Sequence, residues 1–199
     1  MVLSDSKIRE QIGNSSIFIG LDRNNSYPVE RLRFDSMAVD LHLGNEFRVW
    51  KDLLPGEESI FDPSLDAFNL VDVGDLYSEL AHLERDGSFI LKPKSFALGT
   101  TKQYIKLPLT TSARIEGRSK LVRLGVGIHV TAPTIHAGFE GTITLEIFNH
   151  SPRSVKLKPW VSLEEEGLRI GQLIFETVEG TVSQTQNTST FRNQTGTLG

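Results

Sequence analysis

Cysteine is missing from this chain of 199 residues, and its absence excludes several kinds of chemistry. Without thiols the protein can form no disulfide bond, and it has no cysteine to serve as a nucleophile or a metal ligand. The five histidines are scattered along the chain, and their spacing does not match that of a zinc site. We therefore expect no zinc, and any catalysis must come from oxygen and nitrogen groups.

Long hydrophobic runs are missing as well, and so is an excess of positive charge. No apolar stretch is long enough to span a bilayer, and the N-terminus has no apolar signal segment, so we expect a cytoplasmic protein with no membrane partner. Lys and Arg number 21 against 25 Asp and Glu, which gives a formal net charge of −4. This balance argues against a nucleic-acid partner, but it leaves room for a local basic pocket that binds a nucleotide.

Short alternating runs, Gly and Pro turns and only brief helical stretches are what the sequence does contain. This pattern is typical of an all-β fold. The length suits one domain, which we place at residues 1–180. Residues 181–199 are rich in Ser, Thr, Asn, Gln and Gly, a composition that predicts a mobile tail or plain disorder.

Two stretches outside the strands predict helices. Residues 3–12 have Ser4 as a plausible N-cap, with Leu3 and Ile8 placed as a hydrophobic staple. Residues 51–86 are irregular and acidic, which indicates an insertion with one short helix near 76–83. We therefore expect only short helices beside the strands.

A polar cluster at residues 118–123 is too short and too polar for a core helix. Ser119 is a good N-cap residue and Gly125 a natural stop, so a single helical turn would place Ser119 and Arg123 on one face. Arg118 and Lys120 flank the start of this turn, where basic groups favour an anion. The alternative is a surface turn with solvated charges.

Residues 142–148 alternate with period two, which predicts a strand. The aliphatic side chains of Ile143, Leu145 and Ile147 point to one face, so Glu146 points to the other. A carboxylate in such a strand is uncommon unless it is paired or takes part in chemistry. A solvated face or an ion pair is the alternative explanation.

Three segments, 117–125, 129–132 and 138–146, resemble the signature of the dCTP deaminases, which belong to the trimeric dUTPase-like superfamily. Segments 3–8, 38–44, 96–108, 170–175 and 191–196 resemble the family in the same order, so the resemblance covers most of the chain. It implies a distorted jelly-roll β-barrel assembled as a homotrimer. Active sites would lie between subunits, with Ser119 and Arg123 from one chain and Glu146 from its neighbour.

The resemblance also implies a reaction, the deamination of dCTP to dUTP and ammonia without zinc. Glu146 would be the general acid and base that activates a water for attack on C4 of cytosine, and one positioned carboxylate can move both protons. Ser119 and Arg123 would complete the catalytic group. Mg²⁺ would be bound through the substrate triphosphate, and dTTP is a possible inhibitor.

Further residues are implied to bind the substrate. They lie in the polar cluster, in the 130–132 loop, in the turn after it, in the closing strand and in the tail. The tail would fold over bound nucleotide. These residues are Arg118, Lys120, Val130, Thr131, Ala132, His136, Gln172, Arg192 and Gln194.

Three positions depart from the family pattern. Lys120 stands where a serine is usual, His136 where an aspartate is usual, and Thr190 where a basic residue is common. Histidine cannot act as an anionic acceptor, so His136 argues against hydrolysis of dUTP. Two alternatives stay open: a bifunctional dCTP deaminase/dUTPase, and a non-catalytic nucleotide-binding regulatory homologue.

Overall fold

Antiparallel β-strands dominate the structure, a computed structural model that describes residues 1–56, 60–182 and 196–198. The strands are β1 (Phe18–Gly20), β2 (Phe34–Asp35), β3 (Ala38–Trp50), β4 (Ser78–Leu80), β5 (Phe89–Leu91), β6 (Phe96–Lys106), β7 (Thr111–Gly117), β8 (Val126–Gly127), β9 (Thr134–Ile135), β10 (Glu140–Asn149), β11 (Val155–Leu157) and β12 (Arg169–Thr177). The expectation of an all-β fold is confirmed.

One curled sheet holds ten of these strands, in the order β8-β10-β6-β3-β12-β7-β9 with β1, β2 and β4 attached at its sides. β5 and β11 form a separate two-stranded sheet. β3 lies between β6 and β12, and its 13 residues link the two halves of the curl. The main core is formed where apolar side chains of both halves meet.

β10 shows why the sequence folds in this way. Its residues alternate strictly between half-buried and buried positions, and Ile143, Leu145 and Ile147 are almost entirely buried. Thr144 and Glu146 point to the opposite face. The period-two pattern therefore predicted both the strand and the side on which its carboxylate lies.

The helices are short, as expected, but two of their details differ from the predictions. α1 (Asp5–Gly13) is capped by Ser4, whose hydroxyl accepts a hydrogen bond from Lys7 N at 3.3 Å, as predicted. A single 3₁₀ turn spans Val29–Arg31. α3 (Ser119–Val122) has Arg118 rather than Ser119 as its N-cap, so Ser119 is the first helical residue.

The predicted helix at 76–83 is wrong in position, because α2 spans Leu70–Tyr77. Asn69 fixes its start, since the Asn69 side chain accepts hydrogen bonds from the first-turn N–H groups of Val71 and Asp72. The chain then leaves the helix because β4 pairs with the end of β3. Tertiary pairing thus overrides a local pattern that suited a helix.

The proposed domain boundary at residue 180 stays a prediction, because most of the tail lies outside the described residues. Residues 196–198 are described, and they pack against the sheet with Thr197 buried. Across the described ranges, no helix is long and apolar enough to cross a membrane.

Candidate active site

Glu146 lies near the end of β10 and its side chain is half-buried on the outer face of the strand. The backbone N–H of Val130 donates to Glu146 Oε2 at 2.8 Å. The backbone N–H of Glu146 donates to Ile128 O at 3.0 Å, which ties the two segments together. The carboxylate is therefore held in one orientation by a main-chain donor rather than by a mobile side chain.

The loop that carries Val130 is fixed to β10 by backbone pairing. β8 pairs with Phe148 and Asn149, and it follows directly after Gly125. Gly125 has φ of +85°, and a Cβ at this position would lie 2.9 Å from both the backbone N and the Cβ of Ser151. Glycine is required here for its conformation and for space, and the predicted stop after α3 is confirmed.

The polar residues of α3 are exposed in the single chain. Ser119, Lys120 and Arg123 all lie at the surface. Arg123 N bonds to Ser119 O at 3.2 Å, so the two residues are one helical turn apart, as predicted. Within the described part of the chain, neither the Ser119 hydroxyl nor the Arg123 guanidinium group has a side-chain partner, and the structure does not bring them onto Glu146.

Exposed apolar side chains surround these polar groups. Val122 is 62% exposed and Leu124 59% exposed beside α3, and Val130 is 61% exposed beside Glu146. Apolar side chains that remain at the surface next to functional groups are typical of an interface.

A cluster around Asp40 gathers two of the predicted substrate-binding residues. The Asp40 side chain is only 7% exposed and accepts hydrogen bonds from three groups. Arg118 forms an ion pair with Oδ1, Arg169 Nη1 donates to Oδ2 at 2.8 Å, and Gln172 Nε2 donates to Oδ1 at 3.2 Å. Arg118 and Gln172 are thus fixed within the subunit by a carboxylate on β3.

Behind this cluster lies His42, which is fully buried. Its Nδ1 is 2.9 Å from Gln103 Nε2, and its Nε2 is 3.7 Å from Glu166 Oε2. Burial lowers the pKa of His42 below its ordinary value of 6.5, and Arg169 acts in the same direction against the opposing effect of Glu166. The neutral form of His42 is favoured, so the ring supports the cluster without adding a charge to it.

The remaining predicted residues are spread around the 130–136 segment and the tail. Thr131, Ala132 and His136 are exposed, and His136 lies in the turn where its O accepts a hydrogen bond from Phe139 N at 3.1 Å. Arg192 and Gln194, as well as Thr190, lie outside the described residues.

Three residues in these polar contacts were missed by sequence reasoning. Arg169 and His42 face each other across the β12–β3 pairing, and His129 Nε2 lies 3.6 Å from Glu116 Oε2. The first pairing joins strands far apart in the chain, and the second joins β7 to the loop after β8. For Arg169 and His42 the only available signal was a charged or polar residue within an otherwise apolar strand, and that signal does not identify a partner.

The curled antiparallel sheet makes this an all-β protein, and the carboxylate of Glu146 is held beside the loop of Val130 as its candidate site. The family model for dCTP deaminase-like proteins matches residues 2–178, and the chain belongs to this family. It is 38% identical over 180 residues to a dUMP-forming dCTP deaminase of Persephonella marina, covering 90% of this chain and 85% of that protein. It is 36% identical over 186 residues to a dCTP deaminase of Rhodospirillum rubrum, covering 92% and 86%.

A solved structure supports the fold. The 2'-deoxycytidine 5'-triphosphate deaminase from Agrobacterium tumefaciens superposes with a TM-score of 0.58 at 20% identity, covering 89% of this chain. The chain spans 48% of the length of that solved chain. The likeness confirms the fold class expected from the sequence.

Proposed function

We propose that this protein deaminates dCTP, with Glu146 as its general acid and base. The observation that carries the proposal is the hydrogen bond from Val130 N–H to Glu146 Oε2, in a chain that belongs to the dCTP deaminase-like family. This contact orients the carboxylate and leaves its second oxygen to act on a water. In the described residues, no donor lies on that second oxygen.

The chemistry needs one group that first accepts a proton and later returns it. Glu146 takes a proton from a water as the water oxygen bonds to C4 of cytosine. It then gives the proton to the exocyclic amine, the C4–N bond breaks, and ammonia leaves. The second proton of the water passes to N3 of the ring and the oxygen remains on C4 as a carbonyl, so dCTP and water become dUTP and ammonia. Oxygen and nitrogen groups alone are sufficient for these steps.

Ser119 and Arg123 would complete the site from a neighbouring subunit of a homotrimer. Their exposure in the single chain supports this arrangement, because both side chains lack partners among the described residues. The exposed apolar residues Val122, Leu124 and Val130 would then be covered at the interface. A hydroxyl donor and a cation brought onto Glu146 would hold the carboxylate and the water in line.

Magnesium would enter with the substrate. The described residues contain no group of three His, Asp or Glu side chains arranged to hold a metal. Mg²⁺ would therefore be held by the substrate triphosphate and by water molecules, and it would neutralise part of the phosphate charge. Lys120 would add positive charge beside the phosphates, and inhibition by dTTP and a cytoplasmic location stay predictions.

A second candidate is a bifunctional enzyme that goes on to release pyrophosphate and form dUMP. The name of the Persephonella marina relative, a dUMP-forming dCTP deaminase, favours it. His136 is exposed and stands where the family usually has an aspartate. One of its ring nitrogens would position a second water. It would have to do so without the negative charge of an aspartate.

The test is a chromatographic assay of purified protein with dCTP and Mg²⁺, run beside Glu146→Gln. Gln keeps the shape and the acceptor for Val130 N–H but cannot shuttle a proton, so turnover should fall by about a thousandfold. Glu79→Gln, an exposed carboxylate on β4, is the control and should retain full activity.

The product distinguishes the candidates. Formation of dUTP supports the deaminase, and formation of dUMP with pyrophosphate supports the bifunctional enzyme. Tight nucleotide binding without any product would contradict both, and it would support a regulatory homologue.

A further inference from the structure

Residues Gly196, Thr197 and Leu198 occupy a seat on the outer face of the sheet. Thr197 is 3% exposed, and both its backbone N–H and its hydroxyl donate to Glu46 Oε1 at 2.7 Å. Gly196 O accepts a hydrogen bond from Thr144 Oγ1 at 3.2 Å. A buried residue that places two donors on one carboxylate oxygen is a specific contact rather than a loose surface association.

Gly74 forms the apolar side of this seat. It is the buried residue of α2, and a Cβ added there would lie 2.5 Å from Leu198 Cδ2. Glycine inside a helix costs about 1 kcal/mol relative to alanine. The packing of Leu198 against the bare backbone gives a reason for glycine at this position.

The seat lies next to the proposed active site. Thr144 and Glu146 are two residues apart on the same face of β10, so their side chains are separated by about 7 Å along the strand. Thr144 pairs with Thr100 of β6 and Glu146 with the neighbouring Leu98. The docked segment therefore covers the outer face of the strand immediately beside the carboxylate.

We propose that Glu46, Thr144 and Gly74 form a docking seat for residues 196–198, and that Glu46 is a positioning residue for the site around Glu146. This rests on the proposed deaminase function. Glu46 touches no reacting atom. It acts by keeping the segment docked, so that substrate meets a site whose flank is already ordered and shielded from water.

The expected effect is on apparent affinity. A protein whose docked form is only partly populated binds substrate more weakly in proportion to that population. Loss of the charge-assisted hydrogen bonds to Glu46 should raise the KM for dCTP by about tenfold while kcat changes less.

The first experiment compares Glu46→Ala and Glu46→Gln with the unaltered protein. Hydrogen exchange of the peptide containing Thr197 reports docking, and steady-state kinetics report KM and kcat. We expect Glu46→Ala to speed exchange and raise KM, and Glu46→Gln, which retains an acceptor oxygen, to restore most of both. Glu79→Ala is the control, and it should change neither quantity.

The second experiment probes the apolar side of the seat. Gly74→Ala favours the helix but displaces Leu198, so it should speed exchange and raise KM without lowering the unfolding temperature. Gly13→Ala at the end of α1, where nothing lies within 4 Å, is the matched control and should leave exchange and KM unchanged.

Two results would overturn the proposal. Unchanged exchange at Thr197 in Glu46→Ala would show that the seat does not hold the segment. Faster exchange with an unchanged KM would show that docking has no role in catalysis. If the unaltered protein forms no product from dCTP, the proposed function fails and the positioning role with it, but exchange still decides whether the seat exists.

Discussion

Asp40 lies against two guanidinium groups and one amide, and the cluster that it forms with them depends on its charge. Without its charge, Arg118 and Arg169 would repel each other across a nearly buried position. Asp40→Asn keeps the shape and removes the charge. We expect it to lower the free energy of unfolding by about 3 kcal/mol, because breaking a buried ion pair leaves uncompensated charge.

Urea unfolding measures the effect of Asp40→Asn, with Asp52→Asn as the control because Asp52 is exposed. A loss similar to that of the control would contradict the importance of the cluster. Catalysis should also weaken in Asp40→Asn, since Arg118 would no longer be held in one place.

At the same scale, the sequence predicted the direction of single side chains better than their partners. The face on which Glu146 lies could be predicted because the alternation of β10 sets it. The contact between Arg169 and Asp40 could not, because it depends on which strands become neighbours. A carboxylate on β3 gives no local sign that β12 will lie beside it.

Gly125 links α3 to β8, and β8 pairs with β10, the strand that carries Glu146. Gly125→Ala introduces a side chain at φ of +85° and places its Cβ against the backbone of Ser151. We expect a loss of about 3 kcal/mol in unfolding free energy from strain and crowding together.

Gly180→Ala separates these two causes. Gly180 has φ of +87°, but nothing lies within 4 Å of an added Cβ. It should lose only about 1 kcal/mol, the cost of the conformation alone. Equal losses in the two variants, measured by urea unfolding, would mean that Ser151 yields to the new side chain.

Elements with a clear period were predictable and irregular ones were not. β10 and α1 were found within two residues of their bounds because alternation and the Ser4 cap are local signals. α2 was misplaced because its start depends on Asn69 and its end on pairing between β4 and β3. The docking of residues 196–198 could not be predicted at all, since their composition alone indicates a tail.

For the whole molecule, the proposed trimer predicts that inactive variants complement each other. Glu146→Gln and Arg123→Ala should each be inactive alone. Mixed and reassembled, they should regain activity, because some sites would pair an intact Glu146 from one subunit with an intact Arg123 from the next. An activity assay on the mixture decides this, and mixtures as inactive as their components would mean that each site lies within one subunit.

The same mixture tests which subunit needs its docking seat. In a restored site, Glu146 comes from the subunit that carries Arg123→Ala. Adding Glu46→Ala to that subunit should raise KM, and adding it to the Glu146→Gln subunit should not. The reverse result would assign the docked segment to the neighbouring site.

The pairing of β3 with β12 also affects how the protein folds during its synthesis. β3 is the first long strand of the chain and β12 the last strand described, so synthesis delivers β3 long before its partner. Val39, Leu41 and Leu43 are fully buried only once that partner is in place. Sheets built from such distant segments fold in roughly milliseconds to seconds. Until residue 177 has left the ribosome, the nascent chain therefore carries an apolar strand with an open edge that invites aggregation.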